Sequence, residues 1–196
     1  MPLVIAGGQS VTDYECLHLA NIARMSFTFA VNDAALHWPC DVVVALDYEW
    51  IKSMVLELRR LNKPVITRKW DVLAGLGLDL IQLPNDIPYR LSGMVACKVS
   101  DSLAIKCGDR KSYVIGMDAT KGHYYNDKGD CSALVPITDY ERMGLTQTVN
   151  LGIHSRIPYW PKSSKLPSIK KVAITKNYRT LAMAWIRGEA EMERLV

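Results

Sequence analysis

The chain has 196 residues, of which 49% are hydrophobic and 22% are charged, a composition typical of a globular domain and not of a disordered chain. Its length corresponds to one domain with a substantial core, and no apolar run approaches the ~20 residues that span a bilayer. The formal net charge is +4 at pH 7, but residues 155–179 alone carry seven basic residues and no acid.

The first predicted strand, residues 3–6, is apolar and ends at Gly7-Gly8. Because this start lacks the basic region of a signal peptide, we expect the chain to stay in the cytoplasm. After the glycines, Thr12 or Asp13 is predicted to cap a helix that runs to Arg24. Glu15 follows Thr12 at the spacing of a capping box.

Later apolar runs predict five more strands, because each is short and continuous. They are residues 27–31, 42–46, 65–66, 80–83 and 113–115. Helical periodicity predicts further helices over residues 48–61, 93–107 and 178–195. Strands that alternate with helices predict an α/β fold of Rossmann-like, three-layer design. Its sheet is expected to be mainly parallel, with about six to seven strands.

We expect residues 1–154 to form a Rossmann-like nucleotide-binding domain. Residues 155–196 are expected to be a basic connection and a C-terminal helix that packs on the same domain. The basic residues of 155–179 can contact the phosphates of a nucleic acid, or they can form a solvated surface. The five cysteines are odd in number and include no Cys-x-x-Cys, which favours buried, reduced thiols.

Small and polar residues follow the predicted strands. In an open α/β sheet, ligands bind beyond the carboxyl ends of the strands, where the chain order reverses. The residues in question are Gly7, Gly8, Gln9, Ser10, Asn32, Asp33, Asp47, Arg68, Lys69, Gly116, Met117 and Asp118. Asn32 suits a base or ribose edge, because its amide both donates and accepts. Asp33 and Asp47 can hold ribose hydroxyls or cap the helices that follow them.

Two later segments add candidates. Ser92 and Gly93 begin a predicted helix, where they offer an anion contact or an ordinary N-cap. Residues 117–135 form a long polar loop, in which His123 is either a general base or a surface residue. The acids, histidine and cysteine of this loop match no standard ligand spacing, so no metal is expected.

Four segments, in chain order, resemble a superfamily of nucleotide-binding transferases. They are residues 4–11 (VIAGGQSV), 29–34 (FAVNDA), 43–50 (VVALDYEW) and 91–118, which opens with LSGM and closes with KSYVIGMD. The superfamily includes bacterial sialyltransferases that use CMP-sialic acid, motility accessory factor proteins, archaeal pterin pyrophosphokinase-like proteins and short phage proteins. The chain departs from the pattern at Gln9, where a proline is usual, and in its Gly-Gly pair.

The resemblance implies a nucleotide site at Gly8, Gln9, Ser10, Asn32, Ser92 and Gly93. By position, it implies His123, Tyr124 and Tyr125 as catalytic residues. His123 would remove the acceptor proton, while a tyrosine and the amides of Gly8 and Ser92 would hold the leaving phosphate.

The implied activity is glycosyltransferase-like transfer from a nucleotide or nucleotide-sugar donor of the CMP type, without a metal, by a phage protein in the host cytoplasm. One alternative is an ATP-dependent pyrophosphokinase-like enzyme that needs Mg²⁺, held by Asp47 and Asp118. Another is a non-catalytic phage accessory protein that binds a nucleotide or a nucleic acid. A small-molecule nucleotide is the expected partner, and no membrane is expected.

Overall fold

One sheet of parallel strands forms the centre of the protein. The computed structural model describes residues 1–83, 89, 91–109, 111–118, 137–152, 155–158 and 160–188. The strands are β1 (Pro2–Ile5), β2 (Phe27–Val31), β3 (Val42–Val44), β4 (Val65–Thr67), β5 (Leu80–Gln82), β6 (Ser112–Ile115) and β7 (Thr148–Asn150). Their spatial order is β5-β4-β3-β2-β1-β6-β7, and every neighbouring pair is parallel. The predicted α/β fold with a parallel sheet is therefore confirmed.

Helices connect the strands and cover both faces of the sheet. They are α1 (Cys16–Met25), α2 (Ala34–His37), α3 (Tyr48–Ser53), α4 (Val55–Leu61), α5 (Trp70–Leu73), α6 (Ser92–Lys106), α7 (Ile137–Arg142), α8 (Ile169–Val172) and α9 (Lys176–Ile186). Two 3-10 turns span Gln9–Asp13 and Ala74–Leu76. Within the described residues, no helix combines the length and the apolar character that a membrane crossing needs.

Two hydrophobic cores lie on opposite faces of the sheet. Successive residues of a strand point to opposite faces, so Leu3 and Ile5 of β1 join one core and Val4 joins the other. The first core is covered by α1 to α5, and the second by α6, α7 and α9. Both faces are thus buried, which explains why the strands read as continuous apolar runs.

The chain between β1 and β2 differs from the prediction. Thr12 does not begin a helix; its hydroxyl donates to the carbonyl of Gln9 (2.8 Å) within the first 3-10 turn. Helix α1 begins only at Cys16, and its N-cap residue, Glu15, makes no side-chain capping bond. The polar side chains of this stretch therefore favour a local turn over a capping box.

The predicted helix over residues 48–61 is two helices, α3 and α4, that meet at Met54. The Ser53 hydroxyl donates to the carbonyl of Trp50 (2.8 Å) in the last turn of α3, which competes with the helical pattern. Asn62 ends α4 with a left-handed backbone, φ 50°. Because asparagine tolerates this conformation, the chain turns here into β4.

Strand β7 was not predicted, because it has only three residues and lies between polar segments. Its position depends on Asp101, a buried carboxylate of α6. Asp101 accepts bonds from the amides of Thr146 (3.2 Å) and Gln147 (2.8 Å) and from the hydroxyl of Thr148 (2.9 Å). The chain segment around Lys162 then pairs with the outer edge of β7.

Helix α9 joins the second core. The Tyr178 ring lies 6.4 Å from the ring of Phe27, and its hydroxyl donates to Asp109 (2.6 Å). The guanidinium of Arg179 lies 3.1 Å from a carboxylate oxygen of Asp41. The helix was predicted over residues 178–195; it ends at Ile186 in the structure, and residues 189–196 lie outside the described part.

The cysteines are only partly as expected. Cys97 is buried and Cys40 is half-buried, and burial raises the pKa of the Cys40 thiol to about 12. Cys16 is exposed, which corrects the expectation of buried thiols, because it starts α1 on the outer side of that helix. Cys131 lies outside the described residues.

Candidate functional site

The chain order of the sheet reverses at β1. Strands β1 to β5 follow one another outward on one side, whereas β6 returns to pair with β1 on the other side. In folds of this kind, the crevice beside such a reversal is the usual ligand site. The predicted residues after β1, β2, β3 and β6 all stand at this carboxyl edge, with Gly7 buried and Gln9 exposed.

The loops after β1 and β6 bond directly to each other. The Gly8 amide donates to the carbonyl of Gly116 (2.7 Å), and the Ser10 amide donates to Oδ2 of Asp118 (2.7 Å). The Gly116 amide in turn donates to the Ser10 hydroxyl (3.0 Å). A carboxylate thus already accepts from the Ser10 amide, where a ligand phosphate was expected. The Gly8 amide is thus bonded within the protein, and the phosphate contact implied for it stays a prediction.

Glycines in this junction allow close packing between loops. A Cβ on Gly8 would lie 2.5 Å from Oδ2 of Asp118 and 2.6 Å from the carbonyl oxygen of Gly116. A Cβ on Gly152 would lie 2.8 Å from the Ser10 hydroxyl. Real Cβ atoms do not come this close, so the small residues here are needed by the protein's own contacts.

Asp33 and Asp47 interact with the start of α3. The Asp47 carboxylate accepts from the amides of Glu49 (2.9 Å) and Trp50 (3.2 Å), so it is the N-cap of α3. Asp33 accepts from the indole Nε1 of Trp50 (2.8 Å). Of the two roles that were left open for Asp47, the structure therefore contains the capping role.

Asn32 and Ser92 lie at the same strand end. The backbone amide of Asn32 donates to the carbonyl of Val44 in β3 (3.3 Å). The Ser92 hydroxyl accepts from the amide of Leu46 (2.9 Å), two residues further along the same strand end. These two bonds bring the end of β2 and the start of α6 together; we call this the Asn32–Ser92 corner.

Two groups at the Asn32–Ser92 corner remain able to bond. The Oδ1 atom of Asn32 is buried and accepts no hydrogen bond from the residues the structure describes. Leaving such an atom unsatisfied costs about 1–3 kcal/mol, which a ligand donor would offset. Ser92 still has a hydroxyl hydrogen to donate, since its bond to Leu46 uses only an acceptor position.

The start of α6 differs slightly from the prediction. Ser92 is its first residue and not its N-cap; Leu91 holds the N-cap position, without a side-chain capping bond. Leu91 therefore gives no side-chain acceptor to the first-turn amides of α6, which carry the positive end of the helix dipole. A Cβ on Gly93 would lie 2.4 Å from the Met117 sulfur, so this glycine lets Met117 pack against the helix.

Two polar residues that shape the site were not predicted. Asn150 donates from Nδ2 to the carbonyl of Met117 (3.3 Å), and the Ser155 hydroxyl donates to the same carbonyl (3.0 Å). They fix the chain that leads from β6 to Asp118. The sequence could have indicated Asn150, because this polar residue ends an apolar run, as Asn32 does. No such signal marks Ser155, since the carbonyls to which its hydroxyl donates are more than 30 positions away in the chain.

The predicted catalytic residues His123, Tyr124 and Tyr125 lie outside the described residues. Across the described ranges, no group of three or more His, Cys, Asp and Glu side chains could hold a metal ion. Asp47 and Asp118 follow β3 and β6, which are three strand spacings, about 14 Å, apart in the sheet. A Mg²⁺ ion held by Asp47 and Asp118 stays a prediction.

Comparisons with known proteins identify no relative. No protein-family model matches the chain, and no curated protein or solved structure matches it either. The fold thus rests on the structure described above, and the resemblance of the four segments to nucleotide-binding transferases stays a prediction.

Proposed function

We propose that the protein is a nucleotide-dependent transferase, glycosyltransferase-like in its chemistry, which holds its nucleotide at the Asn32–Ser92 corner. The observation that carries the proposal is the buried Oδ1 atom of Asn32, which accepts no bond from the described residues. Asn32 has a left-handed backbone, φ 47°, directly after β2. A constrained backbone and an unsatisfied buried acceptor both lower the stability of the free protein. A ligand that donates to Oδ1 would explain why they are present.

The chemistry of the corner fits a nucleoside monophosphate unit. The Oδ1 atom of Asn32 can accept from a base amino group or a ribose hydroxyl, and the Ser92 hydroxyl can donate to a sugar oxygen. The uncapped first turn of α6 is a favourable place for the phosphate, because its amides and dipole attract an anion. The phosphate is thus proposed at α6, while the amides of Gly8 and Ser10 bond within the protein.

Transfer would then follow from the residues that the resemblance implies. His123 would remove the proton of the acceptor hydroxyl, and Tyr124 or Tyr125 would stabilise the leaving phosphate. A nucleotide sugar of the CMP type is the proposed donor. We expect His123→Ala to lower turnover of such a donor at least 100-fold while leaving nucleotide affinity within twofold, as measured by nucleotide release and by titration calorimetry.

Calorimetric titration with CMP, UMP, AMP and GMP tests the nucleotide site. Asn32→Gly removes the amide group but permits the left-handed backbone, whereas alanine would add strain at that φ. We expect at least a tenfold loss of affinity for the nucleotide that binds best, because one buried hydrogen bond is lost.

The matched control is Asn62→Gly. Asn62 has nearly the same backbone, φ 50°, but it is exposed at the end of α4, on the opposite edge of the sheet. The nucleotide affinity of the Asn62→Gly variant should equal that of the unaltered protein. Equal affinities for Asn32→Gly and Asn62→Gly, or no binding of any of the four nucleotides, would contradict the proposal.

A further inference from the structure

A basic segment crosses the outer surface of α1. We call residues 161–176 the basic strap; it begins beside β7, where Ser163 bonds to Asn150. The Tyr14 hydroxyl, just before α1, donates to the carbonyl of Ser163 (3.3 Å). At the far end, the Ile174 amide donates to the carbonyl of Met25, the last residue of α1 (3.0 Å). The strap therefore runs along the whole length of α1, which is about 15 Å for ten residues.

The cations of this surface point to solvent. Lys162, Lys165, Lys170 and Lys176 of the strap are exposed, and so is Arg24 of α1. Among the described residues none of the five is in an ion pair with a carboxylate. Lys162 bonds to the carbonyl of Ser155 (2.6 Å) and Arg24 to the side chain of Asn21 (3.2 Å), both neutral groups.

Acids are nearly absent from this surface. Neither α1 nor the strap contains an aspartate or glutamate, and the nearest acids in sequence are Asp13 and Glu15, before α1. Arg179, beyond the strap, is different, because it lies 3.1 Å from Asp41. The cations of α1 and the strap thus form one surface on which no carboxylate of the described residues pairs with them.

We infer that this surface binds the phosphate backbone of a nucleic acid duplex, at a place separate from the Asn32–Ser92 corner. Each strand of a duplex carries about one charge per 3.4 Å of its axis, so the length of α1 spans about four phosphates of one strand. Five exposed cations spread along that length complement such a row of charges. Backbone contacts of this kind give affinity without sequence preference.

A lipid surface is a poorer match for the same residues. A helix that lies on a membrane needs a continuous apolar face turned outward. The apolar residues Leu19 and Ile22 of α1 are instead fully buried in the core. Leu17 and Met25 are exposed at opposite ends of the helix, and Ile169 is exposed on the strap. Three scattered apolar side chains are common on protein surfaces and do not make a continuous face.

Fluorescence anisotropy with a labelled duplex of about 20 bp tests the inference. We expect binding at 50 mM salt that weakens steeply toward 200 mM, with a log–log slope of about −3.6 to −4.5 for four or five phosphate contacts. The double variant Lys165→Glu/Lys170→Glu should weaken binding at least tenfold and make the slope shallower by about 2.

The control has the same change in net charge at another place. Lys52→Glu/Arg60→Glu alters exposed residues of α3 and α4, outside α1 and the strap, and should leave duplex affinity within threefold. Thermal unfolding of both double variants checks that they are folded. Nucleotide titration of both checks the Asn32–Ser92 corner separately, so the two proposals can fail independently.

Three results would overturn the inference. One is absence of duplex binding at 50 mM salt, and another is equal weakening by the two double variants, which would reflect net charge alone. The third is binding to phosphatidylcholine vesicles that contain phosphatidylglycerol without binding to the duplex. That result would replace the nucleic acid with an acidic lipid surface.

Discussion

Gly116 is constrained twice, by its backbone and by its neighbours. Its φ is 78°, and a Cβ there would lie 2.4 Å from the carbonyl oxygen of Ala6. The position joins the loops after β1 and β6, so its geometry decides how Gly8 and Asp118 meet. A glycine after the last residue of β6 was part of the predicted edge, and its contact with Ala6 requires a glycine there.

We expect Gly116→Ala to destabilise the protein by about 3 kcal/mol or more, because strain and a steric clash add. Gly108→Ala is the matched control, since Gly108 has φ 67° but no atom within 4 Å of a Cβ. It should cost only about 1 kcal/mol, the backbone part alone. Urea unfolding of both variants measures the difference, and similar losses would show that the contact with Ala6 matters little.

At the scale of elements, one buried carboxylate links α6 to β7. Asp101 lies in the middle of α6 and accepts three bonds from the segment that leads into the strand. Ser100 adds a bond of 2.6 Å to Ser112 of β6. Because the three residues of β7 contribute little apolar area, helix α6 holds this short strand in register through polar groups.

We expect Asp101→Asn to lower the free energy of unfolding by about 2–3 kcal/mol. The NH₂ group of the asparagine side chain is a donor, so it cannot accept a bond from one of the groups that donate to the carboxylate. Asp139→Asn is the control; its ion pair with Arg142 is exposed and should matter by no more than about 0.5 kcal/mol. Chemical denaturation provides both values. If the two variants lose the same stability, Asp101 is not what holds β7.

At the scale of the whole molecule, the last described helix is tied to the first half of the chain. Arg179 donates to the carbonyls of Arg24 (2.5 Å) and Ser26 (2.7 Å), and Tyr178 packs on Phe27. Ala182 is fully buried in the same core as β2. These contacts connect residues that are some 150 positions apart in the chain.

We therefore expect α9 and the sheet to unfold together. Trp185 of α9 reports on the helix and far-ultraviolet circular dichroism reports on the whole protein, so their urea midpoints should coincide. The chain has five tryptophans, so the variant Trp185→Phe supplies the fluorescence of the other four as the reference to subtract. A separate, earlier fluorescence transition would mean that residues 155–196 form an independent unit.

Much of the architecture was determined by the sequence itself. Apolar runs such as 27–31 marked their strands because both faces of the sheet are buried, and their alternation with helices required parallel pairing. The polar residues at strand ends, Asn32 among them, were identifiable for the same reason, since the pattern changes sharply where a strand leaves the core.

Only the tertiary structure decided what those polar residues do. Ser10 bonds to Asp118 and Gly8 bonds to Gly116, in each case across more than 100 positions, and no local pattern encodes which partner satisfies which amide. The same holds for Asp47, which caps α3, and for Ser92, which lies inside α6 and bonds to the end of β3. Strand and helix formation depends on neighbouring residues, whereas a binding site depends on which hydrogen bonds remain unmade after distant segments have packed.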